Sequence, residues 1–164
     1  MLLGILSDTH DRYEIMGEAV RTLRDRGAAF FIHCGDVCTP NLLDHLAGLP
    51  SAFVWGNCDF DRLALQRYAQ AIEVPCYGVF ADLELGGKRV AVLHGDDRQR
   101  LDAILKAQEH DYLFHGHTHV RRDERVGRTR IINPGALFRA SEKTVALLDT
   151  ETDQLESIVI PQVR

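Results

Sequence analysis

Short apolar runs, each followed by a polar loop and an amphipathic segment, recur through the first half of the chain. The runs are Leu2–Leu6, residues 28–33 and residues 52–56. The first run is apolar on both faces, which is typical of a strand inside a parallel sheet. Alternating strands, loops and helices are the pattern of a right-handed parallel sheet with crossover helices. The first half of the chain therefore predicts such a sheet.

The segment after the first run has the apolar spacing of a helix that buries one side. Asp11 is expected to cap this helix, which stops at Gly27. A short second helix is predicted to open at Pro40 or Asn41, and a third to cover residues 59–70. The side chains on the buried side of the first helix are predicted to be Ile15, Met16, Ala19, Val20 and Leu23.

The pattern changes after Pro75, where strands are joined by short turns. Residues 79–95 carry apolar segments on either side of a Gly-Gly pair, which predicts a β-hairpin. A helix over about residues 98–109 follows, and two more hairpins are predicted to turn near Gly127 and Thr152. A parallel first half and a hairpin-rich second half predict an α/β fold of two packed sheets flanked by helices.

Length and charge limit the classes of function. A chain of 164 residues that is 45% hydrophobic has the size of one domain, so residues 1–164 are interpreted as a single domain. The formal net charge of −5 gives no general attraction to nucleic acid or to an anionic membrane. No window approaches the roughly 20 apolar residues of a membrane helix, and the N-terminus lacks the features of a signal peptide. We expect a cytoplasmic protein with reduced cysteines and no membrane partner, and the sequence predicts no oligomeric state.

Side chains that ligate metals follow the predicted strands. Carbonyl and carboxylate oxygens and imidazoles are all present, and loops at the carboxyl ends of parallel strands converge on one edge of a sheet. Imidazoles suit transition metals, and the lack of thiolates in the set argues against a structural zinc. Two carboxylates supply the charge that a pair of mutually repelling cations requires. The candidate ligands are Asp8, His10, Asp36, Asn57, His94, His117 and His119.

The motifs that contain these residues are SDTH, HCGD, GNCD, LHG and GHTH. In this order and spacing they resemble the calcineurin-like metallophosphoesterases, in particular the small single-domain phosphodiesterases of bacteria and archaea. The resemblance runs from Asp8 through INPGAL and implies a four-layer α/β/β/α sandwich of two mixed sheets. It also implies a binuclear metal centre in which Asp36 bridges the ions. By this resemblance, Asp8, His10, Asp36 and His119 hold one ion, and Asp36, Asn57, His94 and His117 hold the other.

The resemblance implies a metal-dependent phosphodiesterase. A water or hydroxide activated between the metals would attack phosphorus in line, with Asp36, Asn57 and His94 as catalytic residues. Asn57 and Arg139 are candidates for binding the substrate phosphate. Manganese is the expected metal, with nickel, iron and zinc as alternatives. The expected substrate is a phosphodiester small molecule or a nucleotide; a phosphomonoesterase and a protein-binding scaffold, like the retromer subunit that shares this fold, are the alternative functions.

Two positions depart from the family pattern. Many larger relatives carry a histidine after the motif asparagine, where this chain has Cys58. A thiol donates hydrogen bonds weakly and carries no positive charge, so Cys58 as a catalytic residue predicts a preference for aryl leaving groups. The alternative is that Cys58 packs beside the site. Ala136 replaces a serine of the NPG block, for which a structural turn is predicted.

Two further features have both a functional and a structural interpretation. His115 lies in the histidine-rich segment but has no ligand role in the family pattern, and it is interpreted as a packing residue or a support for the ligands. The segment RRDERVGRTR either guides a nucleotide toward the metals or forms a solvated edge strand, and the edge strand is favoured.

Overall fold

The computed structural model describes residues 1–161 of the chain. Its elements, in chain order, are β1 (Leu2–Leu6), α1 (Tyr13–Asp25), β2 (Phe30–His33), a 3-10 helix (Pro40–Leu46), β3 (Ser51–Phe53), α2 (Arg62–Ala71), β4 (Phe80–Leu85), β5 (Lys88–Leu93), α3 (Arg98–Ala107), β6 (Tyr112–Phe114), β7 (Arg122–Val126), β8 (Thr129–Asn133), β9 (Thr144–Asp149) and β10 (Gln154–Val159). The predicted strands, helices and hairpins are all present, although several of their ends differ. Among the described residues, none of the helices has the length and apolar character that a membrane crossing requires.

The strands form two mixed sheets. The first has the order β10-β9-β1-β2-β3, in which β1, β2 and β3 are parallel. The second has the order β4-β5-β6-β8-β7, in which β5, β6 and β8 are parallel. The hairpins β9–β10, β4–β5 and β7–β8 supply the antiparallel pairs. The predicted parallel strands of the first half and the predicted hairpins of the second half are confirmed, while the parallel pairing of β5, β6 and β8 adds to the prediction.

The apolar side chains divide into layers that match the alternation of the strands. Leu3 and Ile5 of β1 face Val92 and Phe114 of the second sheet in a cluster between the sheets. Leu6 points the other way, into the cluster that α1, the 3-10 helix and α2 form on the outer face of the first sheet. A smaller cluster joins α3 to the outer face of the second sheet. These layers give the predicted α/β/β/α sandwich.

Helix α1 buries the face that its periodicity predicts, since its buried residues are those expected from the sequence. Gly27 ends the helix at φ +88°, where its N–H bonds to the carbonyl of Arg24. The prediction that Asp11 caps the helix is wrong. Arg12 precedes the first helical residue without a side-chain cap, and the Asp11 N–H is bonded to the Val37 carbonyl, which holds Asp11 outside the helix.

Strand β3 is shorter at its end than predicted, stopping at Phe53 rather than at residue 56. Beyond this point the N–H of Val54 still bonds to the carbonyl of His33 in β2, whereas the N–H of Trp55 bonds to Gly78, in the segment after α2 to which the N–H of Phe53 also bonds. Strand β2 likewise covers only Phe30–His33 of the predicted run, and the second helix is a 3-10 helix. The shortened strands still end at the same edge of the first sheet.

The arginine-rich segment forms the β7–β8 hairpin, and β7 is the exposed edge of the second sheet. Every arginine of the segment contacts a carboxylate. These contacts are Arg121–Glu142, Arg122–Glu124, Arg125–Asp153, Arg128–Asp111 and Arg130 with both Asp123 and Asp153. The arrangement agrees with a charged, solvated edge strand, in which alternating charges protect the edge from pairing with another chain.

Candidate metal centre

The loops that follow β1, β2, β3, β5 and β6 meet at one edge of the sandwich and bring the predicted ligands together. Backbone hydrogen bonds join these loops directly: the N–H of Asp8 bonds to the carbonyl of Gly35, and the N–H of Gly116 to that of His94. The second of these links β5 to β6, and a side-chain bond from His117 N to Asp8 Oδ2 links the two sheets. The site is therefore built on strand ends that the core already fixes.

Asp8 is buried and uses only one of its carboxylate oxygens in hydrogen bonds. Its Oδ2 accepts from Ser7 Oγ at 2.6 Å and from His117 N at 3.1 Å. Its Oδ1 faces the Nε2 atoms of His119, His10 and His94 at 3.1, 3.8 and 4.0 Å, but none of these contacts has hydrogen-bond geometry. Burying a carboxylate oxygen without a hydrogen-bond partner costs free energy, and a bound cation would offset this cost.

The Asp36 carboxylate, like that of Asp8, has one oxygen that accepts a backbone hydrogen bond and one that faces imidazole rings. Its Oδ1 accepts from the Cys58 N–H at 2.7 Å. Its Oδ2 lies 3.4 Å from His10 Nε2 and 3.2 Å from His94 Nε2. This oxygen thus stands between one imidazole from each of the two ligand sets that the family resemblance implies.

Asn57 and two histidines complete the second ligand set. The Asn57 amide oxygen lies 3.0 Å from His94 Nε2 and 2.9 Å from His117 Nδ1. The other ring nitrogen of His94 contacts the backbone carbonyl of Cys34 at 2.8 Å, so we assign the proton to Nδ1. Nε2 is then the ring nitrogen that faces the site, and it can bind a metal once its own proton is displaced.

The backbone at the site is unusual as well. Most of the predicted ligands occupy the left-handed region, which costs a residue with a Cβ about 1 kcal/mol or more. Their φ values are +54° for Asp8, +42° for His10, +60° for Asp36, +66° for His117 and +58° for His119. Strain concentrated on the predicted ligands indicates that the loops are shaped to aim these side chains.

Two glycines allow the close approach of these loops. A Cβ on Gly56 would overlap with the backbone nitrogen and the carboxylate of Asp36, and a Cβ on Gly116 would overlap with Ser7 Oγ and Asp8 Oδ2. Neither position has a positive φ, so close packing rather than backbone conformation requires glycine there.

The electrostatic environment favours bound cations. Burial raises the pKa of Asp36, but its contact with His94 and the positive charge of that ring lower it to about 2. Burial lowers the pKa of His94, but Asp36 and then Asp8 outweigh it and raise the pKa to about 9. In the absence of metal, the carboxylates therefore hold a proton on His94, which a cation has to displace.

Asp59 also organises the site, although the sequence analysis gave it no role. It is 1% exposed, and its Oδ2 accepts from the N–H groups of Asp36 and Gly56 at 3.0 and 2.7 Å, while its Oδ1 accepts from Cys38 N at 2.7 Å. The carboxylate thus ties the loop after β2 to the loop after β3. The signal in the sequence was a carboxylate two residues after the predicted ligand Asn57.

Asn133 supports the histidine loop. Its amide nitrogen donates to the Gly116 carbonyl at 2.8 Å and lies 3.1 Å from Thr118 Oγ1, while its amide oxygen accepts from Gly135 N at 2.9 Å. The NPG block is therefore a turn with a structural role, as predicted. Ala136, which replaces the family's serine, is fully buried.

His115 and His33 surround the ligands without joining them. His115 is 3% exposed, and burial lowers its pKa to about 4. Its Nδ1 contacts the Gly116 carbonyl at 3.1 Å. His33 Nε2 lies 3.1 Å from Thr9 Oγ1, and its Nδ1 accepts from Gly35 N at 3.2 Å. Both rings pack beneath the loops, in agreement with the supporting role expected of His115.

The ligands open into a cleft of about 560 Å³, the size of a site for a small molecule. Cys58 and Arg139, the uncertain candidates from the sequence, both line this cleft. Burial, and then the negative charge of Asp36, raise the pKa of the Cys58 thiol to about 11, so the thiol remains protonated. Its Sγ accepts from the Asn57 amide at 3.4 Å.

The donor set fits a pair of divalent cations. It contains carboxylate, imidazole and amide groups whose ligand atoms lie close together, and Asp8 Oδ1 and His10 Nε2 are buried without hydrogen-bond partners. Groups of Asp8, His10 and His119, and of Asp8, Asp36 and His94, each place their ligand atoms within 4.8 Å of one another. Nitrogen and oxygen ligands of this kind suit transition metals.

Known proteins share both the sequence and the fold. A sequence model of the calcineurin-like phosphoesterase superfamily domain matches residues 1–153. Phosphodiesterase MJ0936 of Methanocaldococcus jannaschii is 29% identical over 98% of this chain and 99% of its own length. The probable metallophosphoesterase MJ0623 of the same organism is 31% identical, with 98% of this chain and 81% of that protein aligned. The solved structure of an archaeal phosphodiesterase is similar with a TM-score of 0.89 at 28% identity, covering 97% of this chain and 99% of the other.

Proposed function

Because the chain belongs to the calcineurin-like phosphoesterase superfamily, we propose that it is a metal-dependent phosphoesterase that hydrolyses phosphodiesters at a binuclear centre. One observation carries the two-metal proposal: Asp36 Oδ2 lies between His10 Nε2 and His94 Nε2, at 3.4 and 3.2 Å. A bridging carboxylate occupies such a position in two-metal sites. The diester preference is supported by the relative of nearly equal length that is named a phosphodiesterase.

Each ion would be held by a different quartet of side chains that shares Asp36. Manganese is proposed first because carboxylate and carbonyl oxygens suit it, while the imidazoles leave iron, nickel and zinc as alternatives. One quartet is Asp8, His10, Asp36 and His119, and the other is Asp36, Asn57, His94 and His117.

Two divalent cations, when bound, activate a water molecule as the nucleophile and neutralise the oxygens of the phosphoryl group. The protein's own contribution is positioning. Asp8 and Asp36 each have one oxygen fixed by hydrogen bonds, so the other oxygen is held in place before any ligand arrives. The Asn57 amide nitrogen faces the cleft beside Cys58 and can donate to the substrate phosphate. Arg139 lines the same cleft and is a further candidate for binding a phosphate group of the substrate.

Cys58 bears on the choice of leaving group. Its thiol lines the cleft and stays protonated because burial and Asp36 raise its pKa to about 11. A thiol can offer a leaving oxygen only a weak hydrogen bond and no charge. We therefore expect diesters with aryl leaving groups to be hydrolysed faster than dialkyl diesters.

The test is the hydrolysis of bis(p-nitrophenyl) phosphate by protein stripped with a chelator. Activity should appear when manganese is added back, and Asp36→Asn should remove it, because an amide cannot bridge two cations as a carboxylate does. Circular dichroism would establish that both proteins are folded. Folded wild-type protein that stays inactive with manganese, nickel, iron and zinc would contradict the proposed function.

A further inference from the structure

The cleft above the ligands is lined by aromatic rings as well as by polar groups. Phe60 and Phe138 both line it, and the Phe138 ring lies 5.0 Å from the His10 ring. Phe60 is 88% exposed, whereas Phe31 and Phe53 are buried in the core. A ring that contributes nothing to the core, and that stands in a substrate cleft, is available for contact with a ligand.

Phe60 is held in its exposed position by its neighbours. The preceding residue, Asp59, is fixed by the backbone N–H groups that its carboxylate accepts. The following residue, Asp61, caps α2 by accepting from Ala64 N at 2.9 Å. The N–H of Phe60 itself bonds to the Cys58 carbonyl at 3.0 Å. The ring is therefore presented by an anchored turn, which lowers the entropic cost of stacking a ligand on it.

Positive charge lies beside the Phe138 ring, where Arg139 also lines the cleft. The guanidinium groups of Arg12 and Arg139 lie 4.8 and 5.0 Å from the centre of the Phe138 ring. Within residues 1–161, neither of them contacts a carboxylate, unlike the arginines of the β7–β8 hairpin. Neither cation has a carboxylate partner, so an anion bound beside this ring could accept charge-assisted hydrogen bonds from them.

From these positions we infer the substrate class: a phosphodiester whose retained arm carries an aromatic ring, which stacks on Phe60, and a second phosphate, which Arg12 and Arg139 bind. This inference rests on the proposed function, because the metal centre would hold the scissile diester. A mononucleotide arm with a terminal phosphate has this chemistry. Aromatic stacking does not select one base, so we expect little preference among nucleobases.

A small nucleotide fits the observations better than a nucleic-acid chain does. The cleft has a volume of about 560 Å³, which suits a compact ligand. A polynucleotide needs a continuous basic track, and the chain has a net charge of −5 while the hairpin arginines are paired. Arg139, which lines the cleft, and Arg12, which shares the Phe138 ring with it, are instead two local charges rather than a track.

The experiment compares three p-nitrophenyl diesters that share one leaving group, using manganese-loaded protein. Their retained arms are methyl, thymidine through its 5′ oxygen, and the same thymidine with a 3′-phosphate. We expect kcat/KM to rise about 10-fold when the methyl group is replaced by thymidine, from stacking on Phe60. A further increase of about 10-fold is expected from the 3′-phosphate, from charge-assisted bonds to the arginines.

Matched variants test which side chains cause each increase in kcat/KM. Phe60→Ala should bring the thymidine-to-methyl ratio close to one, whereas Leu63→Ala, the truncation of an exposed side chain outside the cleft lining, should keep the wild-type ratio. Arg12→Gln combined with Arg139→Gln should remove the increase due to the 3′-phosphate, and Arg67→Gln, an exposed position on α2, should not.

The outcomes separate this inference from the proposed function. Equal kcat/KM for all three esters, or wild-type ratios that survive in the Phe60 and arginine variants, would overturn the substrate class while the hydrolysis itself supports the phosphodiesterase. A folded wild-type protein that hydrolyses none of the esters with manganese, nickel, iron or zinc would overturn both. Polynucleotides hydrolysed faster than the thymidine 3′-phosphate ester would also overturn the inference.

Discussion

The candidate metal-binding edge and the β7–β8 hairpin are both crowded with ionisable side chains, yet they differ in how the charges are satisfied. In the hairpin, each arginine contacts a carboxylate, as Arg130 does with Asp123 and Asp153. At the metal-binding edge, Asp8 Oδ1 and His10 Nε2 are buried without hydrogen-bond partners. Paired charges on a surface strand need no ligand, whereas buried oxygen and nitrogen atoms without partners that lie close together are available to bind a cation. The density of charge alone therefore does not identify a site.

The backbone shows the same contrast. Most of the predicted metal ligands occupy left-handed conformations that L-residues rarely adopt, and side-chain hydrogen bonds fix their loops: Asp59 accepts from the Asp36 N–H, and Asn133 donates to the Gly116 carbonyl. In the hairpin, the positive φ falls on Gly127, where it costs little. Strain borne by non-glycine residues and supported by surrounding hydrogen bonds is typical of functional loops.

The largest expected difference between the two regions is in catalysis. Asp8→Asn should lower kcat/KM for bis(p-nitrophenyl) phosphate on the order of 1,000-fold and weaken manganese binding, because it removes a charged ligand from a preorganised site. Asp123→Asn makes the same chemical change in the hairpin and should leave kcat/KM within about 2-fold, because a solvated charge at the surface contributes little. Steady-state kinetics and manganese titration would measure both. Similar losses in the two variants would show that the contrast between the regions is wrong.

Asp59→Ala should produce the largest loss of stability. It leaves buried N–H groups of Asp36, Gly56 and Cys38 without their acceptor, so the free energy of unfolding should fall by about 3 kcal/mol. Manganese affinity should fall by about 10- to 100-fold as well, because the loops that carry Asp36 and Asn57 are no longer tied together. Urea denaturation of the metal-free protein and metal titration would test this prediction. A stability equal to that of the wild type would mean that Asp59 does not clamp the loops.

Acid should destabilise the metal-binding edge through its buried histidine. The pKa of His115 is lowered to about 4 in the folded protein, so between pH 6.5 and 4 the unfolded chain binds a proton that the folded chain does not. Stability should therefore fall in this window, by about 2 kcal/mol from His115. His115→Leu should remove this part of the pH dependence. Denaturation of the metal-free wild type and variant at pH 7 and pH 4.5 would measure the difference, and parallel pH profiles would contradict the assignment.

The smallest effect is expected at the hairpin. Arg121→Gln breaks an exposed pair with Glu142, and we expect the free energy of unfolding to change by less than about 0.5 kcal/mol. The wild-type kcat/KM should be retained. Thermal denaturation together with the diester assay would test this, and a loss of more than about 1 kcal/mol would show that these surface charges act as a stabilising network.

Much of the fold follows from local periodicity. The buried face of α1 was predictable because its apolar residues recur with the helical period, and the β4–β5 hairpin was predictable from its Gly-Gly turn. The start of α1 was not predictable, because the N–H of Asp11 donates to the carbonyl of Val37, which lies in another loop. The segment after β3 likewise bonds to a distant partner, since the Trp55 N–H donates to the Gly78 carbonyl. Such errors arise wherever a tertiary hydrogen bond overrides a local preference.

In the candidate site, too, local sequence features were predictable and contacts between distant segments were not. Ligand types at strand ends were predictable because parallel strands deliver their carboxyl ends to one edge. The hydrogen bonds by which Asp59 supports the loops could not be predicted, because their donors are backbone N–H groups of a separate loop. The arrangement of Arg12 and Arg139 around Phe138 was equally hidden, because the loops after β1 and β8 are far apart in sequence.

The most direct test of the two-metal centre is anomalous diffraction from crystals grown with manganese, recorded on both sides of the manganese absorption edge. We predict two anomalous peaks per chain, on either side of Asp36 Oδ2 and about 3.5–4 Å apart. One peak should lie nearest His10 and His119, and the other nearest His94 and His117. A single peak, or peaks away from Asp36, would contradict the bridging arrangement on which the proposed function rests.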